Sequence, residues 1–190
     1  MVEKFNRYNL RTTIFLIFEK IFDCLRLCFF WKIRLGHIGK SSIVKKKVII
    51  NGSAKNVSVG NNTTIYHRCF IGITKGSFEI GNNSHLGVDV YINASDGKVK
   101  IGNNVSVGPK TQIFSYSDDY RPGKLIGELH KVDDVIIGNN ILIGAGVVIL
   151  PGVKIEEGSI IAAGSVVIND IPSYSIAGGV PAKIIKQREK

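Results

Sequence analysis

The stretch that decides the fold runs from residue 137 to residue 167 and reads IGNNILIGAGVVILPGVKIEEGSIIAAGSVV. An aliphatic residue returns at every sixth position, as Ile137, Ile143, Ile149, Ile155, Ile161 and Val167. A period of six matches neither the 3.6-residue repeat of a helix nor the two-residue alternation of a half-buried strand. It is typical of a coil with three short flat faces, each of which contributes one inward aliphatic residue. Glycine and asparagine tolerate the left-handed backbone that the corners between the faces need.

The same pattern recurs upstream in a regular register. Copies of the aliphatic-Gly-Asn-Asn motif begin at Val59, Ile80, Ile101 and Ile137, and a weaker copy begins at Ile38. The starts from 38 to 101 are 21 residues apart, which corresponds to an 18-residue coil with three extra residues at one corner. The gap of 36 residues before the last copy holds one coil and an insertion near 119–136. Stacked coils bury a continuous aliphatic column, so we predict an all-β solenoid, a parallel β-helix, over residues 37–172.

The segments on either side of the repeat carry different patterns. Within residues 1–36 the apolar side chains cover one broad face of a predicted helix, and Glu19, Asp23 and Arg26 form a polar stripe opposite. This amphipathic helix carries too many charges to span a bilayer, which takes about 20 mainly apolar residues. Residues 173–190 are expected to be a C-terminal tail that closes or flanks the other end of the solenoid.

The net charge of +10 is concentrated at one end of the chain. Residues 1–50 hold 11 Lys and Arg against 3 Asp and Glu, whereas residues 51–190 hold 14 against 12. A nucleic-acid groove would need cations along the folded body, so this distribution argues against nucleic-acid binding. A basic segment beside an apolar helix face favours an anionic membrane surface, and we expect a membrane-surface contact through residues 8–34. Packing of the helix on protein is the alternative.

The cysteines indicate the compartment. Cys24, Cys28 and Cys69 are too few and too irregularly spaced for a disulfide framework, which favours a reducing environment. We therefore expect a cytoplasmic protein that is peripheral to the inner face of the membrane.

The repeats resemble those of the hexapeptide-repeat acyltransferases, and within that family those of the maltose, galactoside and polysaccharide O-acetyltransferases. The similarity is carried by IGNNILIGAG (137–146), LPGV (150–153), IAAGSVV (161–167) and AGGVPAKIIK (177–186). The resemblance implies a left-handed β-helix, a homotrimer, and acetyl-CoA as the donor in a groove between neighbouring chains, with no metal. By position it assigns Ala145 and Ala163 to the pantetheine track and Lys183 and Lys186 to the phosphates of CoA.

The residue at the family's catalytic position differs in this chain. In the maltose and galactoside enzymes a histidine lies five residues after the inward aliphatic of the third face, and five residues after Ile113 is Asp118. Three interpretations remain open. Asp118 or Asp119 acts as the base, which needs a pKa raised by burial or by its acidic neighbour. His130 in the insertion acts as the base and is oriented by an aspartate, or the protein is a catalytically idle binding or assembly subunit.

The remaining histidines, His37, His67 and His85, occupy unrelated positions in their coils, so a three-histidine metal centre is not expected. The resemblance implies an acetyl-CoA-dependent O-acetyltransferase that acts on a sugar or glycan hydroxyl. The expected membrane contact of the N-terminal segment favours a role in synthesis of lipopolysaccharide, O-antigen, or capsular or extracellular polysaccharide, because such glycans are built on lipid carriers at the cytoplasmic face. N-acetylation of a nucleotide-linked amino sugar is the alternative activity.

Overall fold

Three parallel sheets form the faces of a solenoid in the computed structural model, which describes residues 29–125 and 127–189. Strands are numbered in chain order. The first face holds β1 (His37–Ile38), β4 (Val57–Val59), β7 (Ser77–Ile80), β10 (Lys98–Ile101), β15 (Val135–Ile137) and β18 (Lys154–Ile155). The second face begins with β2 (Ile43–Val44), β5 (Thr64–Ile65), β8 (His85–Leu86), β11 (Ser106–Val107), β16 (Leu142–Ile143) and β19 (Ile160–Ile161). The third face holds β3 (Ile49–Gly52), β6 (Phe70–Ile73), β9 (Tyr91–Asn93), β12 (Gln112–Phe114), β17 (Val148–Ile149) and β20 (Val166–Val167).

The six-residue period places aliphatic side chains inside the solenoid, as the sequence predicts. Each residue of the repeating ladder from Ile137 to Val167 is at most 1% exposed. Each inward residue also stacks on its counterpart in the next coil, as Ile101 does on Ile137 and Ile137 on Ile155. The parallel β-helix that the six-residue period predicts is therefore confirmed, and its core is a continuous aliphatic column.

The two asparagines of the repeated motif have different roles at the corner between the first and second faces. The second asparagine adopts a left-handed backbone, with φ of 51°, 52°, 55° and 56° at Asn62, Asn83, Asn104 and Asn140. The first asparagine connects neighbouring coils, because its side-chain oxygen accepts a hydrogen bond from the preceding coil. The backbone N–H of Asn61 donates to Oδ1 of Asn82, and that of Asn82 donates to Oδ1 of Asn103, both at 2.7 Å.

The glycine of the motif is required by the close approach of successive coils. A Cβ atom on Gly102 would overlap the carbonyl oxygen of Gly138, and a Cβ on Gly60 would overlap the backbone of Gly81. The next coil therefore leaves no room for a side chain at this position.

Residues 29–34, the first that the structure describes, are helical and cover the open end of the first coil. Trp31 and Leu35 are buried in the core, while Lys55 Nζ donates to the carbonyl oxygen of Ile33 at 2.8 Å. Lys55 lies in a single 3₁₀ turn, Ala54–Asn56. Most of the amphipathic helix predicted within residues 1–36 lies outside the described residues. Within the described ranges, no helix has the length and apolar character needed to span a bilayer.

The C-terminal segment, expected to be a tail, forms two further strands. β21 (Ser175–Gly179) pairs in parallel with β19, and β22 (Ala182–Gln187) turns back antiparallel beside it, after a cis bond between Val180 and Pro181. Ala177 stacks on Ile161 and is fully buried, so the second face continues through this segment. Residues 173–189 thus extend and close the solenoid.

The insertion forms a β-hairpin rather than an irregular loop. β13 (Tyr116–Asp118) pairs antiparallel with β14 (His130–Val132) at the corner between the third and first faces. The hairpin starts before the predicted boundary at residue 119. Val135 and Ile136, which were assigned to the insertion, already belong to β15.

Substitution of alanine at Gly102 and at Gly146 tests the close approach of the coils. Gly146 has φ +66° and open space around it, so Gly146→Ala should cost about 1 kcal/mol of backbone strain. Gly102→Ala should lower the free energy of unfolding by more than about 2 kcal/mol, because two coils must move apart. Chemical denaturation of both variants measures the difference, and a larger loss at Gly146 would contradict the packing described here.

Candidate active site

The hairpin brings together two of the three residues proposed as the base. Asp118 and His130 lie directly opposite each other in the β13–β14 register, with His130 Nδ1 3.1 Å from Asp118 Oδ1. A carboxylate can only accept, so Nδ1 carries the hydrogen and donates it. The lone pair on Nε2 is then available to a third group. This arrangement matches the interpretation in which an aspartate orients His130.

An aromatic residue on the same hairpin supports the imidazole. The Tyr116 ring lies against His130, with ring centroids 5.1 Å apart at an interplanar angle of 31°. Partial burial raises the pKa of Tyr116, and the charges of Asp118 and Asp96 raise it further, so the phenol stays neutral. His130 is therefore held both by the hydrogen bond to Asp118 and by ring packing against Tyr116.

Asp119, the other carboxylate proposed as a base, has different partners. Its Oδ1 accepts from the backbone N–H of Tyr120 at 2.9 Å, and its Oδ2 lies 3.6 Å from Arg121 Nε. Its backbone N–H donates to the carbonyl oxygen of Leu129 at 2.8 Å. These contacts fix the hairpin and leave Asp118 as the carboxylate bonded to His130.

The two alanines assigned to the pantetheine track form a column at another corner. Ala145 and Ala163 are exposed between the second and third faces, one coil apart. The N–H of Gly164 donates to the carbonyl oxygen of Ala145 at 2.9 Å, which ties the two coils together there. The hairpin leaves the solenoid at the corner between the third and first faces. Within one chain, His130 and the two alanines therefore lie at different corners.

Lys183 and Lys186 are exposed on β22, where a register irregularity changes their relation. Lys183 pairs with Gly178 and Lys186 with Ile176, and the shift lies between Ile176 and Ala177. Because the partners are two residues apart on β21, the two lysines lie on the same face of the sheet. A spacing of three in an undisturbed strand would have placed them on opposite faces.

The structure also shows a polar pair that the sequence analysis missed. His85 Nε2 lies 3.0 Å from Ser106 Oγ on the outer side of the second face, and Tyr66 packs edge-on to the imidazole. Partial burial lowers the pKa of His85, which favours the neutral ring. The available signal was the 21-residue spacing, which places His85 and Ser106 opposite each other in adjacent coils. Among the described residues, no three His, Cys, Asp or Glu side chains cluster as metal ligands would.

Comparisons with known proteins place this geometry in context. The family model for the bacterial transferase hexapeptide (six repeats) matches residues 134–169. A search of curated proteins finds no match. Among solved structures, AntD, an N-acyltransferase from Bacillus cereus in complex with dTDP and 3-hydroxybutyryl-CoA, is 27% identical with a TM-score of 0.76, covering 83% of this chain and 86% of that one.

Two further structures extend the comparison. A variant of AntD in complex with dTDP-4-amino-4,6-dideoxyglucose and coenzyme A is 27% identical with a TM-score of 0.75, covering 84% of this chain and 87% of that one. The hexapeptide-repeat acetyltransferase VCA0836 from Vibrio cholerae O1 biovar eltor, complexed with acetyl coenzyme A, is 26% identical with a TM-score of 0.61. The match covers 84% of this chain and 75% of that one.

The three-faced coil and its repeats define a left-handed parallel β-helix of hexapeptide repeats. The chain carries the repeats of the bacterial transferase hexapeptide model over residues 134–169, and in fold it resembles the CoA-binding hexapeptide-repeat acyltransferases AntD and VCA0836. It is an acyltransferase.

Proposed function

We propose that the protein transfers an acyl group from acyl-CoA to a hydroxyl of a sugar or glycan, with His130 as the general base. The observation that carries this proposal is the hydrogen bond from His130 Nδ1 to Asp118 Oδ1. A sugar hydroxyl is a weak nucleophile at neutral pH, so its proton must be removed as it attacks. An imidazole held in one tautomer by a carboxylate is suited to that task. The CoA compounds bound to AntD and VCA0836 support acyl-CoA as the donor.

The proposed reaction uses the free nitrogen of His130. Nε2 takes the hydroxyl proton while the oxygen forms a bond to the thioester carbonyl carbon, and backbone N–H groups stabilise the resulting oxyanion. Collapse of that intermediate breaks the carbon–sulfur bond. The CoA thiolate leaves and recovers the proton from the imidazolium, which gives an acyl ester and free CoA. Asp118 stabilises the imidazolium in between, so it is a positioning residue.

The separation of the two corners supports a site shared between chains. The hairpin that carries His130 lies at one corner of the solenoid. The column of Ala145 and Ala163 lies at a different corner of the same chain. In a homotrimer, the hairpin of one chain can face the donor column of its neighbour. We therefore propose that the active assembly is a homotrimer with acyl-CoA between neighbouring chains.

Replacement of His130 tests the base. His130→Ala should lower kcat roughly 10²- to 10⁴-fold, because no positioned base then removes the proton of the sugar hydroxyl. Asp118→Asn should also lower kcat and should change the pH profile, since an amide cannot stabilise the imidazolium. Release of free thiol from acetyl-CoA in the presence of hydroxyl sugars measures both effects.

His67→Ala is the matched control, because His67 is exposed and binds only the backbone oxygen of Lys46 in the contacts described. Its turnover should equal that of the unaltered protein. Full activity in His130→Ala, or loss of turnover in His85→Ala alone, would show that the base has been misassigned.

Replacement of the two lysines of β22 tests the donor site. Lys183→Gln with Lys186→Gln should raise the KM for acetyl-CoA about tenfold and leave kcat nearly unchanged, since charge-assisted contacts to phosphate would be lost. Lys100→Gln with Lys154→Gln removes the same charge from exposed positions on the first face and should leave this KM unchanged. Equal effects of the two double variants would indicate a general charge effect instead of a phosphate site.

One observation favours a second acceptor class. AntD is an N-acyltransferase, and one of its complexes holds a nucleotide-linked amino sugar. An amine in its neutral form is already nucleophilic, so N-acylation depends less on a base than O-acylation does. With dTDP-linked amino sugars, His130→Ala would then retain much more activity than it does with hydroxyl acceptors.

An assay of the unaltered protein distinguishes the two acceptor classes. We expect acetyl-CoA consumption with lipid-linked or oligomeric hydroxyl sugars and formation of a base-labile ester. Formation of a base-stable amide on nucleotide-linked amino sugars alone would instead establish N-acyl transfer. Absence of acetyl transfer to either class would contradict the proposed acceptor chemistry.

A further inference from the structure

We infer that the first-coil end of the solenoid is a docking surface for an anionic lipid bilayer. The bilayer contacts the end of the stack of coils and not one of its three faces. We call this surface the cationic end. It comprises the helix over residues 29–34 and the exposed side chains of the first coil. The docking does not depend on the acyl-transfer chemistry, so the two proposals fail independently.

The first described part of the chain is cationic without any acidic residue. Residues 29–78 contain nine Lys and Arg and no Asp or Glu. Residues 79–190 contain 11 Lys and Arg against 12 Asp and Glu, so the rest of the solenoid is nearly balanced. The charge is therefore graded along the solenoid axis.

The cations of the first coil occupy all three corners. Lys40 lies at the first corner, Lys45, Lys46 and Lys47 follow β2 at the second, and Lys55 lies in the 3₁₀ turn at the third. Lys45 is half-buried and the other four are exposed. A docking surface on the side of the solenoid would carry its cations along one face. Here the cations lie at all three corners of one coil, so they surround the end of the solenoid.

The centre of the cationic end is apolar and exposed. The helix buries Trp31 in the core but leaves Phe29, Phe30 and Ile33 exposed at 68%, 44% and 58%. Arg34 places its guanidinium 5.1 Å from the centre of the Phe30 ring. Aromatic and aliphatic side chains surrounded by Lys and Arg are typical of segments that enter the headgroup region of a membrane.

Charge complementarity favours a lipid surface as the occupant. At physiological ionic strength exposed charges act over about 8 Å, and adjacent strands lie about 4.8 Å apart. Only the first one or two coils then contribute to attraction by an anionic surface approached end-on. These are the coils that lack acidic residues. The exposed apolar centre adds a contribution that salt does not screen.

End-on docking places the hairpin close to the membrane. β13 follows the fourth coil, which is three strand spacings, or about 15 Å, above the first along the axis. A sugar carried on a lipid headgroup could therefore approach His130 without leaving the surface. All chains of a parallel homotrimer would present their cationic ends to the same membrane.

Sedimentation of the full-length protein with vesicles tests the docking surface. The protein should sediment with vesicles of phosphatidylcholine and phosphatidylglycerol, not with phosphatidylcholine alone, and binding should weaken as salt is raised. The variant with Lys40, Lys45 and Lys47 replaced by Gln should bind about 100-fold more weakly, given the usual contribution of each basic residue near an anionic surface. Ile33→Ser should weaken the binding that remains at high salt.

The matched control replaces Lys100, Lys110 and Lys154 by Gln, which removes the same charge from later coils. Lys110 has φ 60° and Lys47 has φ 64°, so one left-handed position is altered in each set. The control should bind vesicles as the unaltered protein does, and both variants should keep the same unfolding midpoint. Equal loss in the two sets, undiminished binding of the cationic-end variant, or equal binding to neutral vesicles would overturn the proposal. Displacement of vesicles by duplex DNA at equal phosphate would also overturn it, in favour of a nucleic-acid surface.

Discussion

The close stacking of successive coils is the constraint on which the rest of the structure depends. Parallel strands in neighbouring coils lie about 4.8 Å apart, and this spacing is too small for a side chain at the corner glycine. The same spacing lets the side-chain oxygen of the first asparagine in the motif accept a hydrogen bond from the preceding coil. The second asparagine adopts the left-handed backbone that the corner needs. Sequence repetition follows directly, because every coil meets the same geometric demand.

This constraint also determines where a functional element can leave the coil. The hairpin is anchored at its base by the coils it interrupts. The Asp133 N–H donates to the Ser115 carbonyl at 3.1 Å, and Asp134 Oδ1 accepts from the Lys98 N–H at 2.8 Å. The paired Asp118 and His130 are thus held on a hairpin whose base is hydrogen-bonded to the coils, which suits the proposed base, since it must be positioned before its acceptor arrives. The cationic end follows from the same architecture, since a solenoid has two ends that its own repeats leave uncovered.

The sequence was most informative where it repeats and least informative where the repeat stops. The period predicted the faces, the inward ladder and the location of the insertion. It did not predict β21, because the spacing between inward aliphatic residues falls from six to four between Val167 and Ile171. The six-residue spacing then resumes at Ala177. The pairing of Asp118 with His130 depends on the hairpin register, which no repeat specifies. The Ser106 contact of His85 could have been found from their 21-residue spacing, had that spacing been applied to outward positions as well as inward ones.

The central claim is that His130, held by Asp118, is the base for acyl transfer between CoA and an acceptor. The most direct test is a crystal structure of the full-length protein with CoA and an acceptor sugar. We predict His130 Nε2 within about 2.6–3.2 Å of the reacting hydroxyl, which should face the CoA sulfur. A hydroxyl that instead contacts another base, such as His85, while His130 points to solvent would contradict the account.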